Sequence, residues 1–95
     1  MLRRNIDYTT LDFSRPKKRS VMLAGHRTSF TLEENFWILL KKLAEQKGIS
    51  LAQMINNIDG ARASHISHPD KKEGVGGLSS AIRAVILHEI SLKNL

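Results

Sequence analysis

The tightest constraint in the sequence is Gly48-Ile49-Ser50, because it joins two helical patterns with almost no chain between them. Before it, Phe36, Leu39, Leu40, Leu43 and Ala44 recur at i, i+3, i+4, i+7 and i+8, the spacing that gives an α-helix one buried stripe. Lys41, Lys42 and Lys47 crowd the last turns, and Gly48 suits the left-handed position that ends a helix. After it, Ser50-Leu51-Ala52-Gln53 has the spacing of a capping box, and Ile49 can pack on Met54 as a hydrophobic staple. The spacing predicts helices over about 33–47 and from residue 50 to about 63, joined by two or three residues.

The flanks of this pair are less regular. Residues 21–23 and 27–32 read as short extended segments separated by Ala24, Gly25 and His26, with Gly25 able to take the positive φ of a tight turn. In the second segment Thr28, Phe30 and Leu32 fall on one face, and Arg27, Ser29 and Thr31 on the other. Thr31-Leu32-Glu33-Glu34 then has the spacing by which a hydroxyl and a returning carboxylate cap the first helix. Leu51, Met54, Ile55 and Ile58 supply the stripe of the second helix, whose last turn Gly60 weakens. Residues 64–77 are almost devoid of apolar side chains and read as an exposed connection. A third helix is expected at about 80–93, with Ser79 as its candidate cap and Leu78, Ile82, Val85, Ile86 and Ile90 on one stripe. Its start, Gly77-Leu78-Ser79-Ser80-Ala81, echoes Gly48-Ile49-Ser50-Leu51-Ala52. The plainer reading is that Gly-x-Ser is how a helix starts after a glycine stop. The expected layout is therefore a basic, flexible arm over 1–19, a core over 20–63, a loop over 64–77 and a C-terminal helix over 78–95.

At 95 residues and 10.7 kDa there is room for one domain. The chain has no cysteine, which excludes a disulfide framework, a thiolate nucleophile and a cysteine-ligated zinc site, so stability must come from a hydrophobic core, one that a second copy could share. Residues 1–15 lack the apolar stretch of a secretory signal, and the longest apolar runs, 36–40 and 84–87, are far short of the ~20 residues that span a bilayer. The expectation is a soluble, cytoplasmic protein without membrane insertion. Net charge is +6, and +5 of it lies within residues 1–27. A basic arm on a nearly neutral body is the pattern of a chain aimed at a polyanion.

Residues that could carry chemistry do not assemble into a reactive pattern. His65, His68 and Asp70 have metal-ligand chemistry, but Ile66, Ser67 and Pro69 place them in a loop rather than on one helix face. His26 and His88 are isolated. Gly74-Val75-Gly76-Gly77 lacks the Lys-Ser or Lys-Thr that completes a phosphate loop, no Gly-x-Ser-x-Gly is present, and the chain is too short to enclose a ligand pocket of about 300 Å³. Neither an enzyme nor a cofactor is expected. Phe36 and Trp37 open an amphipathic helix, where packing is the default role of aromatic residues.

The order of a strand with one polar face, a helix, a tight Gly-x-Ser turn and a second helix resembles the ribbon-helix-helix fold of Arc/MetJ-type DNA-binding proteins. The match is best with a bacterial branch marked by Lys18-Arg19-Ser20, Gly25-His26-Arg27-Thr28-Ser29, Leu32-Glu33 followed by Phe36-Trp37, and Leu78-Ser79-Ser80-Ala81-Ile82-Arg83. The resemblance covers about two thirds of the chain. It implies a mainly α fold with a short β-ribbon, arranged as a homodimer or higher oligomer, here with an additional C-terminal helix. A strand with no partner leaves backbone groups unpaired, and pairing with the same strand of a second copy would satisfy them. The resemblance further implies that an antiparallel ribbon enters the major groove of double-stranded DNA. Arg27, Ser29 and Thr31 would then touch base edges, while Ser50, Leu51 and Ala52 at the start of the second helix and the cations Lys17, Lys18 and Arg19 would meet phosphates. The echo at Gly77 leaves open which helix start serves a phosphate. The expected function is sequence-specific DNA binding as a transcriptional repressor. The alternative is a protein-interaction module, an antitoxin or adaptor that keeps the same dimer and uses the third helix or the arm as its partner-binding segment. A third possibility is an anionic-surface binder that uses the arm alone.

Overall fold

A computed structural model describes residues 6–66 and 77–94. Its element order is a 3-10 turn at Tyr8–Thr10, strands β1 (Lys17–Leu23) and β2 (His26–Leu32), and helices α1 (Glu34–Lys47), α2 (Leu51–Ile66) and α3 (Leu78–Asn94).

β1 and β2 form one antiparallel hairpin, with Lys17 opposite Leu32 and Leu23 opposite His26. That register leaves Ala24 and Gly25 as a two-residue loop, and both have positive φ, +49° and +80°. Such a turn carries the right-handed twist that two strands need to stay paired. Gly25 is required for its backbone angle rather than for space, since a Cβ there would meet nothing within 4 Å. Ala24 adopts the left-handed region at a steric cost of about 1–2 kcal/mol.

The hairpin changes the ribbon expected from sequence. The first extended segment was expected over 21–23 only, because Lys17 to Ser20 are polar and charged and carry no strand signal of their own. Given a seven-residue partner in β2, the ladder continues back to Lys17. The expected lone strand thus has a partner in its own chain, while the outer edge of each strand meets no further strand among the described residues.

α1 ends as its sequence suggests. Gly48, at φ +69°, donates to Ala44 O and Glu45 O, and Ile49 N donates to Ala44 O at 3.1 Å. Its start differs: Thr31 remains in β2, and Glu33 is the capping residue without a side-chain capping bond. At the start of α2, Ser50 Oγ accepts from Gln53 N at 3.0 Å, which is half of the capping box. Gln53 turns its amide to Asn57 instead of reaching back. α2 runs to Ile66, beyond the expected end near Ala63, supported by an Asp59–Arg62 ion pair at 2.9 Å one turn apart and by alanines at 61 and 63. α3 begins at Leu78, so Ser79 lies in its first turn rather than at its cap.

The inward face of the hairpin lies on the three helical stripes. Leu23, Phe30 and Leu32 join Leu40, Leu43, Ala44, Met54, Ile55, Ile58, Ile82 and Ile86 in one cluster. Leu32, Leu40, Ile55, Ile82 and Ile86 are completely shielded from solvent. Both strands and all three helices therefore contribute to the same core, and α3 is an integral part of the domain rather than an appendage.

Candidate nucleic-acid interface

Alternation along the hairpin sorts its side chains into two sets. Lys18, Ser20 and Met22 of β1 and Arg27, Ser29 and Thr31 of β2 all point away from the core and are exposed. They oppose one another in pairs, Lys18 with Thr31, Ser20 with Ser29 and Met22 with Arg27. Neither Lys18 nor Arg27 takes part in an ion pair among the described residues. With strands about 4.8 Å apart, the ribbon is narrow enough to enter a major groove about 12 Å wide.

The three residues expected to face bases, Arg27, Ser29 and Thr31, thus share one open face. The cations expected at phosphates do not stay together. Lys18 belongs to the outward row itself. Lys17 is exposed at the open end of the hairpin, opposite Leu32. Arg19 is turned inward: its guanidinium carbon sits 4.9 Å from the ring centroid of Trp37, and Nη2 donates to Glu34 Oε1 at 2.8 Å and to Leu32 O at 3.2 Å. The Arg19 hydrogen bond holds the Glu34 carboxyl below the usual glutamate range. Phe30 completes this cluster, its ring 6.2 Å from Trp37, so the tryptophan is a packing residue as its helical position suggests. Arg19 departs from the polyanion set because strand alternation puts it on the same side as Val21 and Leu23, and only the Trp37 face and Glu34 make that position tolerable for a cation.

The two helix starts that echo each other in sequence are used differently. The start of α2 borders the turn of the hairpin, in a shallow depression lined by Met22, Leu23, Ala24, Ser50, Ala52 and Gln53. Ser50 is exposed, whereas Leu51 and Ala52 are half-buried against the core, and their backbone N–H groups in the first turn have no partner within the helix. The start of α3 instead braces the ribbon. Ser79 Oγ accepts from Thr31 N at 3.2 Å, and Arg83 binds Glu33 Oε1 through Nε at 2.9 Å and Nη2 at 2.8 Å. The Glu33 carboxyl lies below its ordinary value, chiefly through its own backbone N–H and then through Arg83.

Sequence reasoning missed Ser20 and Met22 as outward residues. The signal was available in the two-residue spacing between positions 23 and 26, which fixes the register and carries the alternation back along β1. Met22 is 59% exposed, a large apolar side chain at the turn end of an otherwise polar face.

Elsewhere, His65 is exposed on α2, while His68 and Asp70 lie outside the described residues. Among the described residues no group of three His, Cys, Asp or Glu side chains is placed to hold a metal ion, and no helix is long and apolar enough to cross a membrane. α2 and α3 border an apolar groove of about 420 Å³, lined by Ile58, Ala61, Arg62, Ala81, Ala84 and Val85 among others. Its volume exceeds that of the enclosed pocket judged beyond a chain of this length, but it is open to solvent along one side.

No curated protein and no solved structure matches the chain closely enough to count as a relative. The family model described as a ribbon-helix-helix domain matches residues 16–90, from the residue before β1 deep into α3, and the chain belongs to that family.

Proposed function

We propose that the protein binds double-stranded DNA sequence-specifically, with its ribbon in the major groove, and acts as a transcriptional repressor in the cytoplasm. The observation that carries this reading is the outward face of the hairpin, where six exposed side chains of hydrogen-bonding, cationic and apolar character stand on a ribbon of groove width. Ribbon-helix-helix domains are generally non-enzymatic DNA-binding regulators that dimerise. In this reading Arg27 forks to guanine O6 and N7, and Ser29 and Thr31 make less selective contacts to base edges. Lys17, Lys18 and the N–H groups at Ser50, Leu51 and Ala52 meet phosphates, which supplies affinity without choice.

An electrophoretic mobility shift against fragmented host DNA over a salt series, with the mass of the free protein measured alongside, tests the proposal. Retention of a few fragments at a salt concentration that releases the rest supports it. Equal retention of all fragments indicates an electrostatic surface binder, and no retention removes the DNA reading.

One observation favours a protein-binding role. Leu87 and Leu92 of α3 are 67% and 70% exposed, and Phe13 of the arm is 77% exposed. These are the segments an antitoxin or adaptor would use to hold a protein partner.

A further inference from the structure

Opposite residues of an antiparallel pair alternate between exchanging both backbone hydrogen bonds and exchanging neither. Thr31 N donates at 3.2 Å to Ser79 Oγ in the first turn of α3, so it points away from β1, and Lys18–Thr31 is a pair that exchanges neither bond. Ser20–Ser29 and Met22–Arg27, at two-residue spacing, share that parity. The outer edge of β2 is therefore made of the N–H and C=O groups of Arg27, Ser29 and Thr31, and it meets no further strand among the described residues. The three positions are not equivalent. Thr31 N–H is held by a side chain of its own chain, whereas neither Arg27 N nor Ser29 N bonds to another element among the described residues.

Ribbon-helix-helix domains generally dimerise, and the resemblance implies that the same strand of two copies pairs. An edge with groups at 27, 29 and 31 is complementary to itself: laid antiparallel about Ser29, it sets Thr31 N–H against the partner's Arg27 C=O, twice per dimer. Ser79 already occupies that N–H. We infer that Ser79 is a gate on the edge of β2: its hydroxyl stands in for the carbonyl a second strand would supply, and it must release Thr31 N–H before two copies pair along the whole strand. The contact suits the part. At 3.2 Å it lies at the long end of the hydrogen-bond range and is exposed, and the first turn of α3 is closed by Ala81 N on Gly77 O without help from the Ser79 side chain. The hydroxyl can therefore rotate away without unwinding its helix. Arg83, two-pronged on Glu33, keeps the start of α3 beside the strand. The gate acts on self-association and needs no DNA, so its failure leaves the DNA-binding reading untouched.

The test is the dimer dissociation constant of the full-length protein without DNA, from fluorescence-detected sedimentation over a concentration series, for the parent and for Ser79→Ala, Ser79→Val and Ser79→Thr. The last two have the same shape and differ in the acceptor oxygen, so they separate the hydroxyl from the space it fills. Ser79→Ala and Ser79→Val are expected to tighten the dimer by about 5- to 150-fold, one ordinary hydrogen bond's net strength for each of its two gates, although their monomers are the less stable in dilute solution. Ser79→Thr keeps the parent's constant. Hydrogen exchange at the Thr31 amide gives a second reading: in Ser79→Ala it is fast in dilute solution and slows as the dimer forms. A dimer unchanged or weakened by both Ser79→Ala and Ser79→Val, a Thr31 amide that stays fast in the Ser79→Ala dimer, or a chain that remains monomeric with and without the hydroxyl overturns the inference.

Discussion

The two faces of the hairpin are built from alternate residues of the same two strands, yet they answer to different demands. On the inward face Leu23, Phe30 and Leu32 are at most 7% exposed, and even the arginine there is stacked and ion-paired. On the outward face no hydrogen bond or ion pair holds the side chains of Lys18, Ser20, Met22, Arg27 and Ser29 among the described residues. Thr31 is anchored through its backbone alone. One face is thus fixed by packing, and its residues are explained by the core they share. The other has no such account among the described residues, and under the proposed function its side chains are the ones offered to DNA.

Substitutions on the two faces should therefore separate stability from binding. The largest effect belongs to the inward face: Leu32→Ala removes a completely buried side chain at the junction of β2 and α1 and should cost about 2–5 kcal/mol, seen as a fall in the denaturant midpoint. Next, Arg27→Ala should leave that midpoint unchanged and cost about 1–3 kcal/mol in affinity for a selected site. Loss of stability in this variant, or unaltered affinity, would erase the contrast between the faces.

The helix starts sharpen the comparison at smaller magnitude. Ser50→Ala removes the cap of α2 and should lower stability by about 1 kcal/mol, with some loss of DNA affinity because the same turn is offered to a phosphate. Ser79→Ala removes the acceptor for Thr31 N and should cost a similar ~1 kcal/mol of stability, with affinity reduced only as far as the ribbon loosens. Equal effects of the two variants on DNA affinity would argue against assigning the phosphate to α2.

The smallest effect is the response to acid. Hydrogen bonds from Arg19 to Glu34, from its own backbone N–H and Arg83 to Glu33, and from Lys47 to Glu89 all hold carboxyls below the ordinary glutamate value in the folded state. A depressed folded value stabilises the fold above the unfolded value, and that contribution disappears as pH falls through the depressed range. These side chains are partly exposed, so screening keeps each contribution small. Midpoints measured from neutral pH down through the glutamate range should decline, and Glu34→Gln should flatten part of the decline. No change of slope in Glu34→Gln would show that the Arg19 contact adds nothing to stability.

Much of the fold was legible because it rests on local periodicity. The α1 stripe, the Gly48 stop and the Ser50 cap are written within a few residues of one another, and the polar and apolar faces of β2 follow from simple alternation. What was not legible depends on contacts far apart in sequence. β1 extends to Lys17 only because β2 offers a ladder for it, and Arg19 turns inward only because Glu34 and Trp37 receive it, fifteen and eighteen residues along the chain. Ser79 has the chemistry of a cap but lies beside the edge of β2, so its hydroxyl serves the strand instead of its own helix. For the candidate site, one row of the ribbon was readable and the other was not, because reading β1 required the hairpin register first.

The most direct test of the central claim, that the outward face of the ribbon is the nucleic-acid surface, is a titration of the isotope-labelled protein with a selected duplex, followed through its amide and methyl NMR signals. The expected perturbations concentrate on Lys18, Ser20, the Met22 methyl, Arg27, Ser29 and Thr31, extend to residues 50–53 at the start of α2, and leave the α2–α3 groove and Leu87 unchanged. Perturbations centred on that groove or on the outer face of α3, with the ribbon signals unmoved, would contradict it.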